Sequence, residues 1–368
     1  MEALFAQTGL GDIGERVARG ERLGGEDGLR LLATPHLAAL GALANMMRER
    51  LHGDRAYFIV NRHLNYTNIC VNRCRFCAFS RSEEESGAYV LSIEECLAKA
   101  GSFLGGRVSE FHIVGGCHPS LPLDYYTGLL SSLRKRFPGV HLQAFTAVEV
   151  AHIARVAGVS VRECLERLRA AGLGSLPGGG AEVFSPRVRA ALCPSKLSGK
   201  EWLEVMRIAH SLGLRSNCTL LYGHIEEPEE VVDHLLRLRA LQDETGGFLA
   251  FIPLAFHPAN TPLAGEVKPR SAYDDLRMIA LGRLLLDNIP HIKVFWIMTT
   301  PRVAQVALGF GADDVDGTVV EERITHAAGA RTPEALTIAE LTRLITSAGR
   351  VPVARDTLYR PVGAPEAR

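Results

Sequence analysis

The sequence predicts an α/β fold: a (β/α) barrel of TIM type, partial or nearly complete, with a helical N-terminal extension and a C-terminal helical tail. Three observations lead there. Short apolar, β-branched runs alternate with helix-period segments, they recur about every 30 to 40 residues, and no tandem repeat or low-complexity stretch interrupts them. Seven or eight such units suit a closed or nearly closed barrel better than two separate domains. An open doubly wound sheet is the rival. Its first strand would lead into a glycine-rich phosphate loop, and here that turn carries cysteines instead.

Residues 1–55 are helical by pattern and read as an extension packed on the barrel rather than as a targeting peptide. Candidate strands follow at 65–69, 110–114, 141–145, 180–184, 216–222, 249–256 and 292–297, with a weaker eighth near 316–320. Helical periodicity fills the intervals at 92–104, 123–137, 160–171, 198–212, 229–244, 272–288 and 302–310. Ser92 with Glu95, and Ser198 with Glu201, fit a capping box, in which each partner satisfies an otherwise unpaired backbone N–H. Past about 330 one convincing helix covers 338–347, behind Thr332 and Pro333. The expected organisation is an extension over 1–55, a barrel core over 56–330 and a tail over 331–368.

The 368 residues carry 41 basic and 41 acidic side chains and no formal net charge, which argues against a nucleic-acid binder that tracks phosphates. No apolar run approaches the roughly 20 residues that span a bilayer. The opening residues show no secretory pattern, so a cytoplasmic protein without membrane partners is expected. There is no Walker loop, no Ser-His-Asp elbow and no H-E-x-x-H. Eight cysteines stand at 70, 74, 77, 96, 117, 164, 193 and 218. Secreted disulfide frameworks are denser and shorter. Five of the eight are scattered singly, as buried structural thiols often are.

The other three form C-x3-C-x2-C directly after the first expected strand, in Asn65-Tyr66-Thr67-Asn68-Ile69-Cys70-Val71-Asn72-Arg73-Cys74-Arg75-Phe76-Cys77. A closed zinc site wants four ligands, and no fourth Cys or His sits at a conventional nearby spacing. A ferredoxin-type cluster likewise wants four thiolates. Three thiolates on a four-iron cubane leave one iron open, which is useful only where a ligand binds it. A zinc knuckle is the bland alternative.

This pattern resembles the radical S-adenosylmethionine (SAM) superfamily. The resemblance implies that Cys70, Cys74 and Cys77 hold three irons of a [4Fe-4S] cluster whose fourth iron chelates SAM. It also implies that Phe76 packs beside adenine, and that Gly115 and Gly116 of V-G-G-C-H-P receive the SAM amino group. Glu182, after P-G-G-G-A, would accept from ribose hydroxyls, and Tyr222 of L-Y-G-H-I-E would meet adenine through backbone groups.

A closer resemblance rests on N-Y-T-N-I-C-V-N-R-C-R-F-C-A-F-S-R, P-G-G-G-A-E-V-F and L-Q-D-E-T-G-G-F. These stretches are similar to a group holding the radical SAM enzymes of the futalosine route to menaquinone and the deazaflavin (FO) synthases. The runs V-G-G-C-H-P-S-L-P, L-D-N-I-P-H-I-K-V-F-W-I-M and D-G-T-V-V-E-E-R-I-T-H-A-A-G-A resemble the aminofutalosine synthases within it. The alternatives are the cyclic dehypoxanthinyl futalosine synthases and FO synthases.

The resemblance implies a C–C bond-forming transferase. Its 5′-deoxyadenosyl group adds to the enol-ether methylene of 3-[(1-carboxyvinyl)oxy]benzoate. Rearrangement and loss of carbon dioxide or bicarbonate give 6-amino-6-deoxyfutalosine and methionine. The partners implied are this aryl enol-ether dicarboxylate and an external one-electron reductant such as flavodoxin or ferredoxin.

A dicarboxylate calls for cationic or neutral donors at the C-terminal ends of the strands. With 35 arginines and six lysines in the chain, position selects Arg81, His118, His257 and His326, with Asp316 or Glu321 as orienting partners. Cys117, Cys96 and Cys164 are expected to be bystanders. Glu83-Glu84-Glu85 reads as a solvated loop, and Trp202 and Trp296 as packing residues.

Overall fold

The structure is a computed structural model describing residues 2–102, 108–268 and 270–363. In chain order its strands are β1 (Arg55–Ile59), β2 (Asn61–Leu64), β3 (Glu110–Ile113), β4 (His141–Ala144) and β5 (Ser175–Leu176). They continue with β6 (Arg215–Tyr222), β7 (Phe248–Ala255), β8 (His291–Ile292), β9 (Asp314–Gly317) and β10 (Val351–Arg355). Strands β2 to β8 form one seven-stranded parallel sheet in chain order, as helix-connected units demand. This is the wall of a TIM-like barrel. The segment after β8 spans the eighth position through single bridges, Lys293 to Asp314 on one edge and Arg62 to Val320 on the other.

Four expectations shift. The first wall strand is β2, ending at Leu64, and 65–69 already belong to the loop that follows. Their polar side chains bond carbonyls of adjacent loops, Asn65 donating to Val114, Thr67 to Tyr89 and Asn68 to Gly87. The strand expected at 180–184 is instead the two-residue β5 at 175–176, because Gly178, Gly180 and Glu182 have φ of +88°, +83° and +49°. The strand expected at 292–297 ends with β8, and Trp296–Thr299 turns into a helix.

The fourth shift is in the tail. Beyond the expected helix, Ile338–Ser347, it contributes β10, which pairs with β1 in a second sheet of order β10-β1-β9. Five residues interrupted by Pro352 leave little sequence signal, and proline is tolerated there because β10 is an edge.

Four helices lie within the first 52 residues, of which Leu37–His52 packs against Ala272–Leu285. Both capping boxes form: Ser92 opens Ile93–Gly101 and Ser198 opens Gly199–Ser211. The expected continuation of the first of these to 104 falls outside the described residues. Trp202 and Trp296 are fully buried, as packing residues should be. No helix among the described residues is long and apolar enough to cross a membrane.

Candidate active site

The loops leaving the C-terminal ends of β2 to β7 surround a cavity of about 300 Å³, and Cys70, Cys74 and Cys77 all line it. Backbone bonds hold the cysteine loop. Cys70 N–H donates to the Arg81 carbonyl (3.0 Å), Val71 N–H to Cys117 (3.0 Å) and Arg75 N–H to Leu192 (2.8 Å). At its tip Arg73 takes φ +43° and forks onto Glu85 at 2.6 and 2.8 Å. Glu85 is thus a clasp on the loop rather than a free solvated carboxylate, and Arg73 draws its pKa down to about 2. All eight cysteines are free thiols. Two expected bystanders abut the loop, Cys117 against Cys70 and Cys193 against Cys74. The hydrogen bond with Cys117 lowers Cys70 to about 5, while that with Cys193 pushes Cys74 up.

Gly115 and Gly116 also line the cavity. Their lack of a Cβ also has a packing reason. A Cβ on Gly116 would fall 2.1 Å from the Ile69 carbonyl oxygen, and one on Gly115 2.8 Å from the Tyr66 ring. The glycine pair lets the loop after β3 lie against the cysteine loop. Gly115 N–H donates to Glu149 at 2.9 Å, and this fully buried carboxyl also accepts from Tyr66 at 2.8 Å. Burial raises Glu149 to about 7 against those bonds.

Glu182 and Phe76 line the same cavity, joined by a residue sequence reasoning missed. Lys196 pairs with Glu182 and stands 5.1 Å over the Phe76 ring. Burial alone would discharge Lys196, but Cys74 and Glu182 beside it hold its ammonium charged. The Tyr222 side chain points out of the cavity, its hydroxyl donating to Asp275 at 2.7 Å, so the backbone contact expected of this residue does not depend on its ring. Its neighbour Leu221 faces the cavity, as strand alternation requires.

Of the four residues expected to meet substrate, His257 alone lines the cavity, with Nε2 2.8 Å from the Met298 carbonyl. Arg81 folds back to the Ala78 and Ser80 carbonyls, both at 2.9 Å, and opens on a neighbouring surface hollow. His118 accepts two backbone N–H groups at Nδ1, pinning the turn after β3. His326 is held between the Glu322 and Thr332 carbonyls. All three lie near the rim, where local bonds engage Arg81 Nη1, His118 Nδ1 and both ring nitrogens of His326.

What reaches the lumen instead is His63 on β2, His112 on β3, Gln143 on β4, Lys293 after β8 and Asp316 on β9. Their signal was available in part. His112 and Gln143 lie inside expected strands, and Lys293 interrupts the apolar run Ile292-Lys293-Val294-Phe295-Trp296-Ile297. Inward positions on β2 were unreadable while that strand was placed four residues late.

Four free thiols line the cavity, three of them from one loop and the fourth, Cys117, from the loop after β3; the three of the cysteine loop fit an iron–sulfur cluster with one exchangeable iron. Comparison with known proteins agrees. Residues 64–238 match the radical SAM superfamily and 245–368 match the CofH/MqnC C-terminal region. The chain belongs to the radical SAM superfamily.

Among its relatives, the aminodeoxyfutalosine synthase of Thermus thermophilus is 49% identical, over 95% of each chain. That of Streptomyces coelicolor is 46% identical, over 95% of this chain and 92% of the relative. A 5-amino-6-(D-ribitylamino)uracil–L-tyrosine 4-hydroxyphenyl transferase of Methanopyrus kandleri is 40% identical, over 87% of this chain and 88% of its own. The crystal structure of methylornithine synthase shares the fold at 18% identity, with a TM-score of 0.73 over 92% of this chain and 96% of that one. The protein is a radical SAM enzyme that catalyses group transfer, with a [4Fe-4S] cluster and SAM. It acts on a small molecule.

Proposed function

We propose that this enzyme is an aminofutalosine synthase in menaquinone biosynthesis. It joins the adenosyl C5′ of SAM to the enol-ether methylene of 3-[(1-carboxyvinyl)oxy]benzoate, with rearrangement and loss of carbon dioxide or bicarbonate. The observation that carries the reading is the 49% and 46% identity, along nearly the whole chain, to two proteins named for that reaction. The hydroxyphenyl transferase at 40% identity supports a second, FO-synthase-like reading on the same scaffold.

Cys70, Cys74 and Cys77 hold the cluster, and their free thiols on one cavity fit it. The bound cluster and SAM supply the one-electron chemistry that frees the adenosyl C5′, the electron coming from an external donor such as flavodoxin or ferredoxin. The chain's own part is to bind, orient and exclude water. Phe76 offers a face to the adenine, with Lys196 held beside it by Glu182. The Gly115–Gly116 turn and Glu149 shape the methionine end. Leu221, Ile252, Leu254, Phe256 and Phe295 give the reaction space an apolar wall.

The test is anaerobic reconstitution with iron and sulfide, reduction, and incubation with SAM and the enolpyruvyl benzoate. An adenosyl adduct of the acceptor supports the synthase. Free 5′-deoxyadenosine without adduct, or turnover only with the uracil and tyrosine substrates, overturns it. Replacing Cys70, Cys74 or Cys77 singly by Ala should abolish the absorbance near 400 nm and turnover together. Full activity in any one variant removes that residue from the ligand set.

A further inference from the structure

Beneath the cysteine loop the barrel lumen is polar where barrels of this kind usually carry branched aliphatic side chains. His63 and His112 stand opposite each other in register on β2 and β3, their rings stacked with centroids 4.4 Å apart. Gln143 continues the layer on β4, its Oε1 3.1 Å from His112 Nδ1.

Two groups in this layer are incomplete. His63 Nε2 is buried and has no hydrogen-bond partner, which costs free energy unless a ligand supplies one. The Lys293 side chain is 7% exposed, and its Nζ lies 3.6 Å from Asp316, too far for a hydrogen bond. No hydrogen bond to that ammonium is present among the described residues. Burial pushes both imidazole pKa values down; the charges facing them are Lys293, Asp316 and Glu110, whose oxygen is 3.9 Å from His112.

We propose that Lys293 and His63 form the subsite for the ring carboxylate of the aromatic acceptor. This deepens the synthase reading above and rests on it. The placement follows from depth. His63 and His112 each lie one residue before the end of their strand, below the loops that carry the cysteines and the glycine pair. An acceptor whose methylene meets the adenosyl carbon at those loops directs its ring, with the carboxylate meta to the ether oxygen, down the lumen. Phe295, whose ring centroid is 6.3 Å from that of His63, walls the descent. Lys293, ion-paired with Asp316 at 3.6 Å, supplies charge and His63 a neutral N–H, so one carboxylate completes the unpartnered His63 Nε2 and gives Lys293 a hydrogen bond.

The test is equilibrium binding to the SAM-loaded, unreduced holoenzyme by anaerobic calorimetry. The probes are 3-[(1-carboxyvinyl)oxy]benzoate and its ring carboxamide analogue, 3-[(1-carboxyvinyl)oxy]benzamide. Lys293→Met should weaken the dicarboxylate about 10- to 100-fold. It should leave the carboxamide within about twofold, because the two losses are one interaction counted twice. Lys293→Arg should retain most of the affinity.

Equal weakening of both probes, or of neither, overturns the subsite, as does failure of the wild type to bind the dicarboxylate. If Lys293→Met takes up no iron, His63→Asn reads the same cycle. Dicarboxylate binding without adduct formation in the wild type fails the synthase reading and leaves the subsite standing. Adduct formation with Lys293→Met affinity unchanged fails the subsite alone.

Discussion

Gly116 shows how a single missing carbon sets the geometry of the cysteine loop. A Cβ there would press on the Ile69 carbonyl, the residue before Cys70, and reach 3.0 Å from the Cys70 Cβ. Since the obstacle is backbone, Gly116→Ala must displace the loop. It should cost about 1–3 kcal/mol of stability. It should also lower iron retained per chain after reconstitution, read by iron analysis beside urea unfolding of the apoprotein. Unaltered iron content and stability would show that the loop yields freely. The residue was legible in the sequence; its reason was not. Contact between two loops separated by β3 and the helix before it is invisible until both are in place.

At the scale of an element, the turn carrying His326 is held by that side chain. Nδ1 lies 2.9 Å from the Glu322 carbonyl and Nε2 3.1 Å from that of Thr332, while the Glu322 carboxylate is 3.3 Å away. Two acceptors on one ring favour the imidazolium, and the bond to Glu322 raises its pKa to about 9. A cation whose folded pKa lies above its ordinary 6.5 stabilises fully below 6.5, and that contribution fades as pH rises through about 9. His326→Gln should therefore lower the denaturation midpoint most below pH 6.5, flatten its pH dependence between those values and leave it unchanged above about 9. An unchanged slope would mean that the ring is not charged in the fold. Helix starts were far more readable than this turn: a serine and a glutamate three apart announce a cap by themselves.

Across the whole molecule, the tail is tied into the barrel by a buried ion pair. Arg355 on β10 donates from Nε to Asp314 on β9 at 2.6 Å, across β1, and both are almost completely buried. Arg355→Met strands the Asp314 carboxylate and should destabilise the protein by about 3–5 kcal/mol. Adding Asp314→Leu should restore much of that, because the unpaired charge goes with it. Chemical denaturation of the single and double variants measures both. A single variant as stable as the wild type would detach the tail from the folding unit.

By itself the sequence determined the repeating unit, the barrel class and the three-cysteine motif that places the chain in its superfamily. Each of these is written in local order: a period of strand and helix, a serine spaced from a glutamate, three cysteines within eight residues. Only the tertiary structure decided which polar groups meet in the lumen. His63, His112 and Lys293 are brought together by strand register between segments far apart in the chain, and register flips inside for outside with a shift of one residue. A different, local cause explains Arg81, His118 and His326. Their place in the chain was right for the rim, but the direction of a side chain depends on which nearby carbonyl or N–H takes it first.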